Sequence, residues 1–332
     1  MGAKITNIEY YLPEKIITNN QLAKQFSDWS PEKIEKKVGI RERRIVKEDE
    51  TALDLALIVG KKILENYNKD KIDFLLFCTQ SPEYYLPSGA CILQDRLGLN
   101  KNIGAFDYNL GCSGFVYGLA IAKSITNSRI AESILLITSE TYTKHIHPKD
   151  KGNRTIFGDA AAATIIEKSE EEHIGEFVLG TDGSGYKNLI VPNGGLRKRY
   201  DPNAKEIDDG SGSIRTNNNL YMNGPEIFNF TIKAVPKVVS ETLEKNNTTL
   251  DEIDYVIFHQ SNKYMNEYLR KKIDIPNNKF CENLLLKGNT VSTTIPIAIK
   301  DSLDNNSIKK NDKVLVVGFG VGYSWGATII TI

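Results

Sequence analysis

The chain has little with which to build a metal centre or a disulfide framework. Its 332 residues include only four cysteines and four histidines. Cys78, Cys91, Cys112 and Cys281 are scattered without a CxxC spacing, which argues against a zinc cluster or a stapled secreted scaffold and fits a reducing cytoplasm. His145 and His147 stand two apart before Pro148, with no cysteine or acidic pair at ligand spacing, and read as part of a loop. Net charge is absent too: 42 basic residues balance 42 acidic ones. No overall field therefore draws the protein to nucleic acid or to an anionic membrane. No apolar run is long enough to span a bilayer. Met1-Gly2-Ala3-Lys4-Ile5-Thr6 lacks the basic segment and apolar stretch of a secretory signal. A cytoplasmic protein is expected, with no metal, no nucleic-acid partner and no membrane association.

What the chain does have is an alternation of short apolar runs with amphipathic stretches. Residues 72–78, 133–138 and 160–166 read as strands buried on both faces, as in a largely parallel sheet. Ala52, Leu55, Ala56, Val59 and Ile63, and later Phe115, Leu119, Ala122 and Ile125, recur at helical spacing. Asn19 or Asn20 is expected to cap a short helix, and residues 39–44 to form a basic turn. A long helix should begin at Gly224-Pro225 and kink at Pro236. Residues 180–219 read as turns and loops with room for a hairpin.

The second half of the chain repeats the first. Ile72-Asp73-Phe74-Leu75-Leu76-Phe77-Cys78 matches Ile253-Asp254-Tyr255-Val256-Ile257-Phe258-His259. Leu135-Leu136-Ile137 matches Leu315-Val316-Val317, and Ala163-Thr164-Ile165-Ile166 matches Ala327-Thr328-Ile329-Ile330. Each match is generic, but the three occur in one order. They divide the chain into two related α/β halves, residues 1–172 and 173–332, at a charged link near residues 168–173.

Cys112 lies where an apolar run gives way to the helix that carries Phe115. A cysteine at a helix N-terminus gains from the exposed N–H groups and macrodipole, which favour the thiolate. Gly111 and Gly114 leave room for a ligand beside the backbone. The alternative is a buried small hydrophobe in a tight turn, the commoner fate of a free cysteine. His259 ends the strand that mirrors the one ending in Cys78, and Asn289 precedes a helix near the place of Cys112 in the first half. Ligands of doubly wound sheets gather beyond the carboxyl ends of the strands, so pseudo-twofold packing would bring Cys112, His259 and Asn289 to one cleft. A thiolate can hold an acyl group, while an imidazole Nε2–H and an amide can stabilise an enolate. No carboxylate adjoins His259, which favours a hydrogen-bond donor over a triad base. Taken singly, His259 also reads as a polar strand end and Asn289 as a turn or capping residue. Gly318-Phe319-Gly320-Val321-Gly322 lacks the spacing of a phosphate loop and reads as backbone opened to a ligand. Arg197-Lys198-Arg199 reads as a solvated loop.

Several segments together resemble the β-ketoacyl-(acyl carrier protein) synthase III family of the thiolase superfamily. They are Gly39-Ile40-Arg41-Glu42-Arg43, Gly111-Cys112-Ser113-Gly114-Phe115, Ile156-Phe157-Gly158-Asp159, Met222-Asn223-Gly224, His259-Gln260-Ser261-Asn262, Gly288-Asn289-Thr290 and residues 320–326. They run from end to end of the chain in family order. The resemblance implies an α/β, thiolase-like duplicated αβαβα five-layered fold and a homodimer. It implies no cofactor, with acyl-CoA or acyl carrier protein bringing the primer and malonyl carrier protein the extender. Cys112 would take the acyl group, and His259 and Asn289 would serve the decarboxylation of malonyl. The backbone N–H groups of Cys112 and Val321 would form the oxyanion hole. The implied primer-binding set is Leu86, reaching across the dimer, with Lys37, Lys151, Arg154 and Phe157. Arg270, Lys271 and Lys272 would form a carrier-protein patch.

The sequence also departs from the family pattern. Lys33 stands where housekeeping members have the tryptophan that stacks on adenine, and Trp29 is displaced. Lys151 and Lys37 replace arginines, and Asn229 and Tyr264 replace basic carrier-protein contacts. These departures point to an accessory member with a specialised primer. One alternative keeps the fold and passes the acyl group from Cys112 to a hydroxyl or amine. Others are a Cys-His-Asn hydrolase, against which the duplicated pattern argues, and a non-catalytic scaffold.

Overall fold

The computed structural model describes residues 2–26, 28–208 and 210–332. The chain opens with β1 (Gly2–Tyr11). β2 (Lys15–Thr18) and β3 (Glu42–Ile45) pair with each other around α1 (Asn19–Gln25) and α2 (Pro31–Val38). Then follow α3 (Ala52–Leu64), β4 (Phe74–Cys78), α4 (Gly89–Arg96), β5 (Gly104–Tyr108), α5 (Gly114–Asn127), β6 (Ser133–Glu140), α6 (Lys151–Arg154) and β7 (Ala160–Ser169). Five of these strands form one sheet in the order β1-β7-β6-β4-β5.

After β8 (Val178–Thr181) come four two-residue strands, β9 (Leu189–Ile190), β10 (Ile207–Asp208), β11 (Ile214–Arg215) and β12 (Tyr221–Met222), pairing as β9 with β12 and β10 with β11. α7 (Gly224–Lys245), β13 (Tyr255–Phe258), α8 (Lys263–Lys272), α9 (Thr294–Asp304), β14 (Lys313–Gly320) and β15 (Ser324–Thr331) complete the chain. The second sheet runs β13-β14-β15-β8.

The repeat seen in the sequence is a repeat of register. β4 runs parallel to β6 with Leu75 beside Leu135, and β6 antiparallel to β7 with Leu135 beside Ile165. β13 runs parallel to β14 with Val256 beside Leu315, and β14 antiparallel to β15 with Leu315 beside Ile329. The antiparallel edges correspond too, β1 on β7 and β8 on β15. The place that β5 takes beside β4 is reduced in the second sheet to one parallel bridge, Val256 to Phe280.

Both sheets bury both faces, which explains their nearly continuous apolar strands. α5 and α9 lie between them. Phe115, Leu119 and Ala122 of α5 and Ile295 and Ile299 of α9 share one buried cluster with Leu76, Ile134 and Leu136 of the first sheet and Ile257, Val314 and Val316 of the second. α3 and α4 cover the outer face of the first sheet, and α7 and α8 that of the second. The result is five layers, αβαβα. Each fully buried Leu, Ile or Phe contributes about 1.5–3 kcal/mol.

Two local expectations are corrected. α1 is capped by Thr18 with Gln21 in a capping box, not by Asn19 or Asn20. Asn19 is drawn inward instead, where its amide donates to Ile40 O and its Oδ1 accepts from Arg43. Arg43 and Arg44 belong to β3, and the turn is left to Gly39, whose φ of 74° suits glycine. α7 begins at Gly224 as expected and runs on past Pro236 to Lys245, with Val235, Val238 and Val239 buried against the second sheet. Among the described residues no helix is long and apolar enough to cross a membrane.

Candidate active site

Cys112 sits in the short connection between β5 and α5, two residues before the helix begins at Gly114. The glycines around it make room for protein rather than for a ligand. A Cβ on Gly111 would come within 2.6 Å of Gln80 Oε1 and Val321 Cγ1, and one on Gly114 within 2.5 Å of the Cys78 sulfur. A Cβ on Gly318 would stand 2.8 Å from Ser113 Cα, and one on Gly320 2.9 Å from both Cβ and Sγ of Cys112. The glycine run thus lets the end of β14 lie against the cysteine turn.

That approach has a chemical consequence. The backbone N–H groups of Cys112 and of Val321 lie close enough to Sγ to draw its pKa down. The thiol is nonetheless pushed up to about 12, first by burial and then by the carboxyl of Glu140, with the two N–H groups pulling the other way. The expectation that the helix N-terminus favours the thiolate is therefore overturned for the resting protein. Cys112 is 6 % exposed, and burial outweighs the dipole.

His259 follows β13 and is held by its own N–H to Val317 O at 2.8 Å. Its ring meets Phe319 edge to face, with centroids 5.6 Å apart. Burial holds its pKa down to about 3, so the imidazole is neutral. Nδ1 lies 2.7 Å from Thr294 Oγ1. That hydroxyl has one proton and a second acceptor in reach, Val291 O at 3.0 Å. Val291 O already accepts the Thr294 N–H. Giving the hydroxyl proton to Nδ1 places the ring proton on Nε2, a donor.

Asn289 is stitched to the first half of the chain. Its N–H donates to Ile156 O at 2.9 Å, and its carbonyl accepts from Gly158 N at 3.0 Å. Its Oδ1 accepts from Val291 N at 2.9 Å, which leaves the Nδ2 amide as the group it has to offer. Cys112, His259 and Asn289 all line one cavity of about 160 Å³ with Ile156, Phe157, Leu189, Met222 and Phe319. It can hold a thioester with apolar walls, N–H donors at the sulfur and two further donors opposite.

The other sequence-assigned residues scatter more widely. Phe157 lines the cavity and Val321 sends its N–H to Sγ. Arg154 instead lines a separate open cleft of about 580 Å³ with Arg43, Lys47 and Lys144. Its guanidinium donates to Pro148 O and Gln25 Oε1. Leu86 is 82 % exposed and does not reach the cavity of its own chain. Arg270 is turned to Glu267 by two bonds of 2.8 Å, and Lys271 lies 3.2 Å from the same carboxylate. Lys272 lies beside the ring of Tyr268. The basic patch is thus largely neutralised. His145 packs on Tyr142, and His147 faces Glu206.

Two further features escaped sequence reasoning. One is the company that Trp29 keeps. The ammonium groups of Lys37, Lys151 and Lys33 stand 4.6, 5.5 and 6.0 Å from its ring centre. Lys151 also pairs with Asp28 at 2.6 Å. Ile156 joins this cluster to the Cys112 cavity. The spacing of Trp29, Lys33 and Lys37, four apart, held that signal. Glu140 ends β6 fully buried, and burial raises its carboxyl to about 8. Its only sequence signal was an acid closing an apolar strand.

Residues 106–183 match the family model described as 3-oxoacyl-[acyl-carrier-protein (ACP)] synthase III, and residues 243–332 match that of its C-terminal part. A β-ketoacyl-[acyl-carrier-protein] synthase III of Clostridium perfringens is 36% identical over 332 residues, 99% of each chain. A crystal structure of a 3-oxoacyl-(acyl-carrier-protein) synthase III is similar with a TM-score of 0.98 and 43% identity, covering 100% of both chains. A 3-oxoacyl-(acyl carrier protein) synthase of Burkholderia xenovorans LB400 is similar with a TM-score of 0.93 and 35% identity, covering 100% of this chain and 94% of that one.

Proposed function

Since the chain belongs to the 3-oxoacyl-(acyl carrier protein) synthase III family, we propose that it forms a carbon–carbon bond on an acyl group carried by Cys112. The Cys112 thiol attacks the carbonyl of a primer thioester, and the carbonyl oxygen becomes an oxyanion facing the N–H groups of Cys112 and Val321. The tetrahedral centre collapses, the thiol of the primer carrier leaves with the proton, and an acyl-cysteine remains. A malonyl thioester then places its carbonyl oxygen against His259 Nε2–H and Asn289 Nδ2–H. The bond to its carboxylate breaks, carbon dioxide leaves, and the electron pair forms an enolate held by the same two donors. The enolate carbon attacks the acyl carbonyl and the Cys112 sulfur departs, giving a 3-oxoacyl thioester. Each preorganised donor of this kind is worth about 2.7–4 kcal/mol of barrier. The single observation that supports the reading most is the meeting of Cys112, His259 and Asn289 in one apolar cavity.

Trp29 with Lys37 and Lys33 offers an aromatic face and cations suited to a nucleotide, which favours acyl-CoA as the primer. The extender rides on acyl carrier protein, for which Lys271 and Lys272 supply what basic surface α8 retains. The protein works as a homodimer. β5 is the open edge of its sheet, Phe106 on it is 38 % exposed, and Tyr85 and Leu86 nearby are 74 % and 82 % exposed. An unpaired edge beside exposed apolar side chains favours pairing with a second copy.

The test is intact-mass analysis after incubation with a panel of acyl-CoA and acyl carrier protein primers, with Cys112→Ala alongside. An adduct that needs Cys112 and is discharged by malonyl carrier protein to a 3-oxoacyl product is expected. An adduct that ignores malonyl carrier protein and awaits an alcohol or amine would overturn the condensing reading in favour of simple acyl transfer.

A further inference from the structure

The segment from Asn289 to Thr294 carries both groups assigned to the malonyl step, and it is strained. Val291 has a φ of 58°, in the left-handed region that a β-branched residue rarely enters. Such a conformation persists only where its surroundings over-determine it. The backbone of Asn289 is fixed by Ile156 O and Gly158 N, and beyond it most of the bonds that hold the turn are internal. Val291 N–H donates to Asn289 Oδ1, Thr293 Oγ1 donates to Thr290 O, and Thr294 packs its hydroxyl between Val291 O and His259.

One side chain reaches the first sheet. Ser292 Oγ donates to Glu140 Oε1 at 3.0 Å and also touches the Cys78 thiol. Among the described residues, Ser292 is the only one of residues 290–294 to hydrogen-bond the first sheet. Glu140 is itself rigidly placed. Its two oxygens accept from Gln80 N at 3.2 and 3.1 Å, and Oε2 accepts from Ser81 Oγ at 3.2 Å. The titratable groups that face it are Asp159, Cys78, Cys112, Tyr108 and Tyr142, and no cation pairs with it among the described residues. A carboxyl buried without a counter-charge is costly. Packing alone would be better served by an apolar residue at the end of β6.

We propose that Glu140 is a positioning residue that grips Ser292 and so holds the strained turn carrying Asn289 at one end and, through Thr294, His259 at the other. The inference rests on the condensing reading above. It predicts a split between half-reactions. Losing Glu140 harms decarboxylation of malonyl, which uses Asn289 and His259. It spares Cys112, whose N–H donors come from Cys112 itself and Val321.

The experiment compares full-length wild type with Glu140→Ala, Glu140→Gln and Ser292→Ala. Carbon dioxide release from malonyl carrier protein reports one half, and iodoacetamide alkylation of Cys112, read by intact mass, reports the other. Glu140→Ala should lose decarboxylation by about tenfold to a hundredfold through kcat rather than KM, and Ser292→Ala by about tenfold. Alkylation should match or exceed wild type in both. Glu140→Gln keeps a carbonyl acceptor for Ser292 and should recover most of the loss. Ser292→Ala leaves Glu140 bonded to Gln80 and Ser81, and it is the variant to read if Glu140→Ala does not fold. Decarboxylation and alkylation falling together, or Ser292→Ala decarboxylating at the wild-type rate, would overturn the proposal alone. Wild type that releases no carbon dioxide from malonyl carrier protein would overturn the condensing reading, and this inference with it.

Discussion

Gly320→Ala places one methyl group against the nucleophile, and its effect can be worked from the geometry. The new Cβ would stand 2.9 Å from both Cβ and Sγ of Cys112. Non-bonded carbons rest at about 3.5–4.0 Å, so one side must yield by roughly half an ångström or more. Cys112 has little room to retreat, because its own turn already lies against Gly318 and, at Gly114, against the Cys78 sulfur. Gly320 is held opposite Ser324 at the end of β14, and the next N–H along the chain is that of Val321. Either shift draws the Val321 N–H away from Sγ. Overpacking of this kind costs about 1–3 kcal/mol of stability, a modest loss for a chain of this size. Losing one oxyanion donor costs about 10²–10³ in rate. The assay is the rate of acyl-cysteine formation by intact mass, with a thermal melt of the same sample. Gly195→Ala serves as the control, since a Cβ there would meet nothing within 4 Å. A folded Gly320→Ala protein that acylates within about threefold of wild type would refute the reasoning that the Val321 N–H serves the reaction.

Thr294→Val keeps shape but removes the hydroxyl that lies 2.7 Å from His259 Nδ1. Decarboxylation of malonyl carrier protein should fall by about tenfold to a hundredfold while Cys112 alkylation is unchanged, and equal rates in the two proteins would sink the tautomer assignment. Because burial holds His259 down to about 3, it is uncharged well above that pH and stays so through neutrality. The rate of decarboxylation should then show no acid limb near the ordinary histidine value of 6.5. A pH–rate profile with a limb centred there would count against a neutral donor. Trp29→Ala should raise KM for acyl-CoA by about tenfold through loss of a stacking face, with little change in Cys112 alkylation. Unaltered KM would remove Trp29 from primer recognition.

The architecture was legible because its strands are buried on both faces. A residue such as Leu135, flanked by Leu75 and Ile165, has no choice but to be apolar. Its counterpart Leu315, between Val256 and Ile329, obeys the same constraint, so the duplication survives as aligned apolar runs. The site residues were legible as types at strand ends, but their environments were not. Whether Cys112 gains from the helix dipole or loses by burial depends on how deeply the turn is covered, and local sequence is silent on depth. The glycines at 318 and 320 announced a close approach without saying to what; the answer is Cys112 itself, more than two hundred positions away in the chain. Glu140 was hidden for a related reason. An acid at a strand end normally reads as solvated, and only the long-range partners Gln80, Ser81 and Ser292 make it a buried hub.

The corresponding ends of β4 and β13 show how duplication separates labour in this chain. Cys78 closes the first, and His259 follows the second at the matching position. Cys78 gives its thiol to Leu110 O at 3.1 Å, and burial drives its pKa far above the ordinary range, which leaves it an inert packing group. His259 is equally buried, yet burial leaves an imidazole neutral and still able to donate. The same depth that disables a thiol therefore equips a histidine. Cys112 is pushed up too, to about 12, but unlike Cys78 it lines the cavity, and the end of β14 brings the Val321 N–H from the other half to pull the other way. Cys112, the proposed nucleophile, belongs to the first half, while Val321, His259 and Asn289 belong to the second. The bridge of Phe157 to Asn289 and the 2.6 Å bond between Ser113 and Ser324 hydroxyls close the seam between them. On the proposed mechanism the two oxyanion N–H groups come from different halves, as do the acyl-carrying sulfur and the malonyl donors, so the chemistry depends on the docking of the two.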